Sequence, residues 1–228
     1  MIKLNSLMSL TMSWNVKRII GMLDKRPNQI MLDLGCGEGN TTIELISALG
    51  IKDCIGVDID KESLNKASKK GIVVLQCNLN TRIPLNDNSF DFIFSNQVIE
   101  HLINIDFYLS EIYRLLKPGG YVIISTDNLS SWHNILSLIF GMQPFSDNIS
   151  SIACIGNKFS IHRGKKSNPH GHIKLFSPLG LKEIIQIHNM RIERFLGIGF
   201  YPFGGLLAHI LEIIDPYHAR FITVKARK

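Results

Sequence analysis

The stretch Leu32-Asp33-Leu34-Gly35-Cys36-Gly37-Glu38-Gly39-Asn40 decides the fold. It closes a short apolar run, Ile30 to Leu34, with three glycines at alternate positions, and the helical spacing of Ile43, Leu45, Ile46 and Leu49 follows at once, closed by Gly50. A buried strand that enters a glycine-rich turn and leaves as a helix is the opening unit of a parallel α/β sheet. Glycines there reach backbone conformations barred to other residues and let a ligand approach the chain closely. In open sheets of this kind ligands bind beyond the carboxyl ends of the strands. The spacing narrows the ligand. G-x-G-x-G with Asp33 two positions ahead differs from the G-x-G-x-x-G that cradles a pyrophosphate. A cofactor without phosphates has no need of a helix N-terminus aimed at one, but it does need an acceptor for an amino group, which Asp33 can help supply.

The same rhythm continues outward. Strands are predicted at Cys54–Asp58, Ile72–Cys77, Phe90–Ser95 and Tyr121–Ser125. Between them lie a helix over Lys61–Lys70, capped by Asp60 and stopped by Gly71, and a helix marked by Leu109, Ile112, Tyr113 and Leu116 that ends at Lys117-Pro118-Gly119-Gly120. Right-handed crossovers then place helices on both faces of the sheet. Upstream, Trp14, Val16, Ile19, Ile20 and Leu23 predict an amphipathic helix over 13–24 within an N-terminal segment of residues 1–28. After Thr126 the alternation breaks. Residues 128–176 read as an inserted segment or lid, irregular apart from a helix at Trp132–Phe140. Ser177-Pro178 starts another helix, with Ser as N-cap and Pro in the first turn, and Leu181, Ile184, Ile185 and His188 give its apolar face. Met190–Leu196 and Arg220–Ala226 close the chain as strands.

At 228 residues, 45% of them apolar, the chain suits one α/β domain with a real core. Cys36, Cys54, Cys77 and Cys154 lie far apart with no C-x-x-C pair, which fits a reducing, cytoplasmic setting. Met1 to Leu10 lacks the features of a signal peptide. The nearest approach to a membrane span, Phe195–Leu211, carries Pro202, four glycines and His209, so it reads as an apolar lid. The net charge of +6 is local. No carboxylate occurs between Asp147 and Glu183, where Lys158, Arg163, Lys165, Lys166, Lys174 and Lys182 accumulate, and the rest of the chain is neutral. Such a patch points to an anionic partner or to a solvated loop.

Asp58 ends the second strand, 19 residues past Gly39, where a carboxylate can accept both hydroxyls of a ribose, in a dinucleotide or in adenosylmethionine alike. Four blocks in register now resemble the class I S-adenosylmethionine-dependent methyltransferases, in particular the small-molecule, methyltransferase-11-like group: Leu32–Asn40, Gly56–Asp60, Phe90–Leu102 (FDFIFSNQVIEHL) and Leu109–Ser125 (LSEIYRLLKPGGYVIIS). The resemblance implies a Rossmann-like, seven-stranded, mostly parallel sheet whose last strand is antiparallel to its neighbours. It implies S-adenosyl-L-methionine as cofactor. Asp33, Gly35, Cys36, Gly37 and Gly39 would face its methionine part and adenosine, Asp58 the ribose and Ile59 the adenine, with Leu79 among the cofactor-binding residues. Asn78 stands where many relatives have Asp and would reach the adenine amino group through its side-chain oxygen. Asn96 and Gln97 would line the methyl-transfer site.

The sulfonium is already a reactive donor, so the protein chiefly aligns a nucleophile with the methyl carbon. A base is needed only for an acceptor that arrives protonated, and His101 is the candidate, since imidazole titrates near neutrality; its alternative is to brace the loop. No metal is expected. The small-RNA 2′-O-methyltransferases bind one through Glu-x-x-Glu-His and a distant His, but here the first position is Gln97, and His162, His170 and His172 match no standard zinc spacing. The acceptor expected is small or lipid-linked and anionic. Trp132–Phe145 and Gly197–Leu207 supply apolar, aromatic surface for it, for peripheral membrane contact, or for a homodimer. RNA is a less favoured partner because the basic run has few aromatics, only Phe159 and Phe176. Two other classes stay open: a nicotinamide-dependent oxidoreductase, and a non-catalytic cofactor-binding subunit.

Overall fold

The computed structural model describes residues 4–26, 28–147, 149–165 and 171–228, with side chains from residue 11 onward. The elements in chain order are α1 (Leu4–Ile20), β1 (Met31–Leu34), α2 (Asn40–Leu49), β2 (Cys54–Asp58), α3 (Lys61–Lys69), β3 (Val73–Gln76), β4 (Phe90–Asn96), a 3₁₀ turn (Ile99–His101), α4 (Ile105–Leu115), β5 (Leu116–Asp127), α5 (Trp132–Ile139), α6 (Pro178–Ile187), β6 (Arg191–Ile198), α7 (Gly205–Ile214) and β7 (Phe221–Arg227). The sheet has seven strands in the order β3-β2-β1-β4-β5-β7-β6. β7 runs antiparallel to both β5 and β6, and the other pairs are parallel. Strand order reverses between β1 and β4. That reversal opens the crevice in which α/β sheets bind ligands.

Burial on both faces explains the near-continuous apolar strands. Leu32, Ile93, Val122 and Ile124 join the core under α4 and α6, while their strand neighbours Met31, Phe92, Phe94, Tyr121 and Ile123 join the core under α1 and α2. Successive side chains of a strand point to opposite faces, so neither face can be polar.

Several local expectations need correction. The opening helix spans Leu4–Ile20 instead of 13–24, and beyond it the amides of Met22 and Leu23 bond only three residues back, to Ile19 and Ile20. The Lys117-Pro118-Gly119-Gly120 stretch does not terminate a helix; it lies inside β5. The chain turns extended at Leu116 (φ −67°, ψ 134°), and proline disfavours helical backbone at the residue before it, Lys117, so the helix does not resume. A register shift opposite Phe90 and Phe92 then accommodates the glycines. The expected lid at Phe195–Leu211 divides into the end of β6, a turn at residues 200–203, and α7. α7 follows directly on the Gly- and Pro-rich stretch at residues 197–205, and its apolar stripe, Leu206, Ile210, Ile213 and Ile214, has helical spacing but faces outward, all four being exposed.

The inserted segment is pinned at both ends by a bridge between Asn128 and Phe176. Its interior is held by asparagines. Asn134 Nδ2 donates to Asn128 O at 3.0 Å, and Asn157 Nδ2 donates to Gln143 O at 2.7 Å. The basic run is divided by the fold: Lys158, Arg163, Lys165 and Lys174 are exposed, whereas Lys182 lies in α6 with its ammonium over the rings of Phe195 and Tyr217. Lys166 and His170 fall outside the described residues. No helix of the described residues is long and apolar enough to cross a membrane.

Candidate functional site

The glycine turn stands at the carboxyl end of β1, where the amides of Gly35 and Cys36 both donate to Val57 O, at 2.7 and 3.0 Å. Two of its glycines are required by space as well as by dihedral. At Gly35 (φ 78°) a Cβ would sit 2.3 Å from Val98 Cγ2, and at Gly39 (φ 76°) 2.4 Å from Ile72 Cδ1. Val98 belongs to the loop after β4, so the first contact locks the cofactor turn against the far wall of the crevice.

Asp58, at the end of β2, accepts from Gly37 N at 2.8 Å through Oδ2 and from Asp60 N at 2.9 Å through Oδ1. The carboxylate therefore braces the glycine turn and keeps further lone pairs for a diol. Ile59 beside it is 63% exposed, an apolar face available to a flat ring. Lys70 Nζ donates to Glu38 O and to Asn40 Oδ1, tying α3 to the same turn.

Asp33 is buried and accepts from Thr42 Oγ1 at 2.5 Å. Burial pushes its carboxyl up to about 7, despite the Thr42 bond that favours the ionised form. Cys36 is also buried, its thiol pushed up to about 12, so it is a packing residue and not a nucleophile. Leu79 is in the core, leaving only its backbone for the crevice. Asn78 departs from expectation. Its Oδ1 accepts from Asn80 N at 3.0 Å and from Asn80 Nδ2 at 3.2 Å, so the oxygen meant for adenine is already occupied by a local turn.

Asn96 ends β4, and Gln97 follows in the left-handed region (φ 57°). A non-glycine residue held there costs on the order of 1 kcal/mol or more. It is kept there by its own amide, which donates to Ser125 O at 2.8 Å. Gln97 Nε2 is buried with no partner among the described residues. Behind these two sits a trio that the sequence reading missed. Asn15 Nδ2 donates to Ser125 Oγ at 3.1 Å and to Asn96 Oδ1 at 3.4 Å, and Thr223 Oγ1 donates to Ser125 Oγ at 2.9 Å. An asparagine on the buried stripe of an amphipathic helix, next to Val16 and Ile19, was the available signal.

The acceptor side is richer than His101 alone. His101 Nδ1 donates to Gly171 O at 3.2 Å. Burial, reinforced by nearby His172, holds its imidazole below the ordinary value, against the Gly171 bond, and keeps it neutral at pH 7. Glu100 is 0% exposed and its carboxyl is pushed up to about 7, chiefly by burial. Asp127, at the end of β5, is buried and also raised, with Arg220, His172 and His101 among the charges that oppose the shift.

Residues 32–124 match the family described as "Methyltransferase domain". The chain is 28% identical over 184 residues to the ubiquinone biosynthesis O-methyltransferase, mitochondrial, of Rattus norvegicus, covering 77% of this chain and 48% of that protein. It is 32% identical over 131 residues to the malonyl-[acyl-carrier protein] O-methyltransferase of Marinomonas sp., covering 56% of this chain and 48% of that protein. The chain thus spans about half the length of these relatives. A SAM-dependent methyltransferase from Archaeoglobus fulgidus shares the fold, with a TM-score of 0.62 at 20% identity over 94% of this chain and 91% of that one. Sheet order, glycine turn and domain match define a nucleoside-binding α/β protein of one class. Residues 32–124 carry a methyltransferase-domain match within a sheet of the class I order, which supports S-adenosylmethionine as the cofactor.

A pH dependence follows from Asp33. The cofactor carries a sulfonium and an ammonium, and a positive ligand beside a protonated carboxyl favours its ionisation, so binding releases a proton. Affinity for S-adenosylmethionine is expected to rise from pH 5 towards about 7, by less than tenfold per unit, and to level off above it. Calorimetric titrations across that range check this, and Asp33→Asn should flatten the slope.

Proposed function

We propose that this chain transfers the methyl group of S-adenosylmethionine to a small or lipid-linked, anionic acceptor that engages the inserted segment. The observation that carries this reading is the surface of the insert. An open cavity of about 410 Å³ is lined by Phe140, Gly141, Met142, Gly156, Lys158 and Phe159. Phe140 and Phe159 are exposed there, and Lys158 adds a cation to an otherwise apolar lining. Apolar walls with one or a few charged groups suit an amphiphilic ligand. Two relatives support this by name, one an enzyme of ubiquinone biosynthesis and the other of malonyl-[acyl-carrier protein]. The chain's own task is alignment, with Asn96 and Gln97 bordering the methyl and His101 standing on the acceptor side.

The test is transfer of a tritiated methyl group to a panel of hydroxylated acceptors, with and without an acidic group and an alkyl tail, alongside structured RNA. Turnover is expected for acidic amphiphiles. Labelling of RNA alone would transfer the basic insert to a nucleic-acid role, and cofactor binding without turnover on any acceptor would favour the partner-subunit alternative. Within the active case, Lys158→Gln should raise KM for an anionic acceptor and leave cofactor affinity unchanged.

A further inference from the structure

Three adjacent strands carry a row of polar residues at one level of an otherwise apolar sheet face. Asn96 of β4 pairs with Ser125 of β5, and Ser125 pairs with Thr223 of β7. Two positions back along β4 and β5 the same face shows Phe94 and Ile123, both in the core under α1 and α2. Asn15 comes down on this row from α1, on the stripe that also buries Val16 and Ile19. Asn15, Ser125 and Thr223 are each 0% exposed. A leucine would fill such a stripe at no polar cost, whereas a buried carboxamide must be matched with partners. A polar residue that breaks the apolar pattern of a helix points to work done on a neighbour.

The partners fix which way Asn96 faces. Asn15 Nδ2 has two protons, and it gives one to Ser125 Oγ at 3.1 Å and the other to Asn96 Oδ1 at 3.4 Å. Thr223 Oγ1 lies 3.5 Å from Asn15 Oδ1, which leaves the nitrogen end of Asn15 towards Ser125 and Asn96. Asn96 Oδ1 is thereby turned to α1, and its Nδ2 meets no acceptor among the described residues. A carboxamide carries donor and acceptor on separate corners, so the Asn96 N–H groups are left for the crevice. The pairing of Leu34 with Ser95 sets Asn96 level with Gly35, the first glycine of the cofactor turn. Ser125 also holds the next residue, because its carbonyl accepts the Gln97 amide at 2.8 Å. α1 is anchored apart from this row. Trp14 Nε1 donates to both carboxylate oxygens of Glu212 at 3.2 Å, and Glu212 Oε1 accepts from Gly199 N at 2.8 Å.

We propose that Asn15 is a positioning residue for methyl transfer: from α1 it holds the Asn96 carboxamide with its N–H groups facing the reacting atoms. The role rests on the methyl transfer proposed above. Donors at that place suit an acceptor that offers an oxygen lone pair, such as a carboxylate. They disfavour an acceptor that offers N–H hydrogens, because two donors facing each other leave both unpaired. Asn15 thus selects for an oxygen nucleophile without touching it. An anionic oxygen arrives with no proton to shed and attacks the methyl carbon. The O–CH₃ bond forms as the S–CH₃ bond breaks, and the electron pair of the broken bond stays on sulfur as neutral S-adenosylhomocysteine.

The test reads the donor character of the site in the full chain with no acceptor present. Titration calorimetry compares S-adenosylhomocysteine with the cofactor analogue that carries a primary ammonium in place of the methylated sulfonium. An ammonium can only donate, so in the unaltered chain it confronts the Asn96 N–H groups. In Asn15→Leu the Asn96 carboxamide is free to turn its oxygen to the ammonium. Affinity for the amine analogue relative to S-adenosylhomocysteine should then rise by roughly tenfold, the worth of a hydrogen bond to a charged group, with affinity for S-adenosylhomocysteine itself kept. Asn15→Ser, too short to reach Asn96, reads the same ratio should leucine fail to fold. Thr223→Val takes a hydroxyl from the same row but leaves the bond between Asn15 and Asn96, so its ratio should match the unaltered chain. An unchanged or lowered ratio in the Asn15 variants, or an equal rise in Thr223→Val, overturns the positioning role. No affinity for S-adenosylhomocysteine in the unaltered chain would instead sink the methyl-transfer reading, and this role with it.

Discussion

Gly35→Ala is expected to weaken cofactor binding by on the order of 2–4 kcal/mol, some 30- to 1,000-fold, and to lower stability as well. Two costs combine. Left-handed backbone at φ 78° costs alanine about 1–2 kcal/mol. The new Cβ would also lie 2.3 Å from Val98 Cγ2, and Val98 is 8% exposed and β-branched, which restricts how far its side chain can turn away. Overpacking of that kind adds about 1–3 kcal/mol. Relief requires either the glycine turn or the loop at residues 97–101 to withdraw, and these form the two walls of the crevice. Gly37→Ala separates the two costs, since it too has positive φ (53°) but no atom within 4 Å of its Cβ. Urea unfolding of the unliganded chain should show Gly37→Ala down by about 1 kcal/mol and Gly35→Ala by clearly more. Binding of S-adenosylhomocysteine within twofold of the unaltered chain in Gly35→Ala would mean that the ligand does not lie against this turn.

The contrast between what the sequence disclosed and what it hid has a physical basis. The glycine turn, Asp58 and the alternating elements up to β5 were legible because each is a local pattern: spacing, caps and apolar runs act over a few residues. The seventh-strand reversal came from resemblance to a family and not from any periodicity. Lys117-Pro118-Gly119-Gly120 has the composition of a stop signal, yet it is absorbed into β5 because pairing with β4 shifts by a register step there. α7 was missed because its helical apolar stripe was absorbed into the preceding Gly- and aromatic-rich run at residues 197–205. The acceptor side was hidden most deeply. Nothing local joins Glu100 to His172, or Asn15 to Ser125; the insert folds back on the 3₁₀ turn, and α1 reaches over the sheet edge, through contacts of long sequence separation.

Asp58→Ala should cost on the order of 1–3 kcal/mol of cofactor affinity, the value of charged hydrogen bonds to a pair of hydroxyls. The geometry makes the prediction sharper than a simple deletion. Both carboxylate oxygens already hold amides, Gly37 N at 2.8 Å and Asp60 N at 2.9 Å, so the side chain is oriented before any ligand arrives. An ionised carboxylate has about four acceptor positions, which leaves two for a ribose diol. Asp58→Asn keeps one oxygen acceptor and loses the charge, so it should fall between the unaltered chain and alanine; which amide it retains will decide whether the turn or the ligand suffers more. Titration calorimetry with S-adenosylhomocysteine, paired with thermal unfolding of the unliganded proteins, separates these roles. Lower thermal stability with unchanged affinity would reduce Asp58 to a brace for Gly37. Lower affinity with unchanged stability would assign it wholly to the sugar. The double engagement seen in the structure requires both to move, and requires the affinity loss to be the larger, because the amide partners regain water in the open turn while a buried ribose hydroxyl does not.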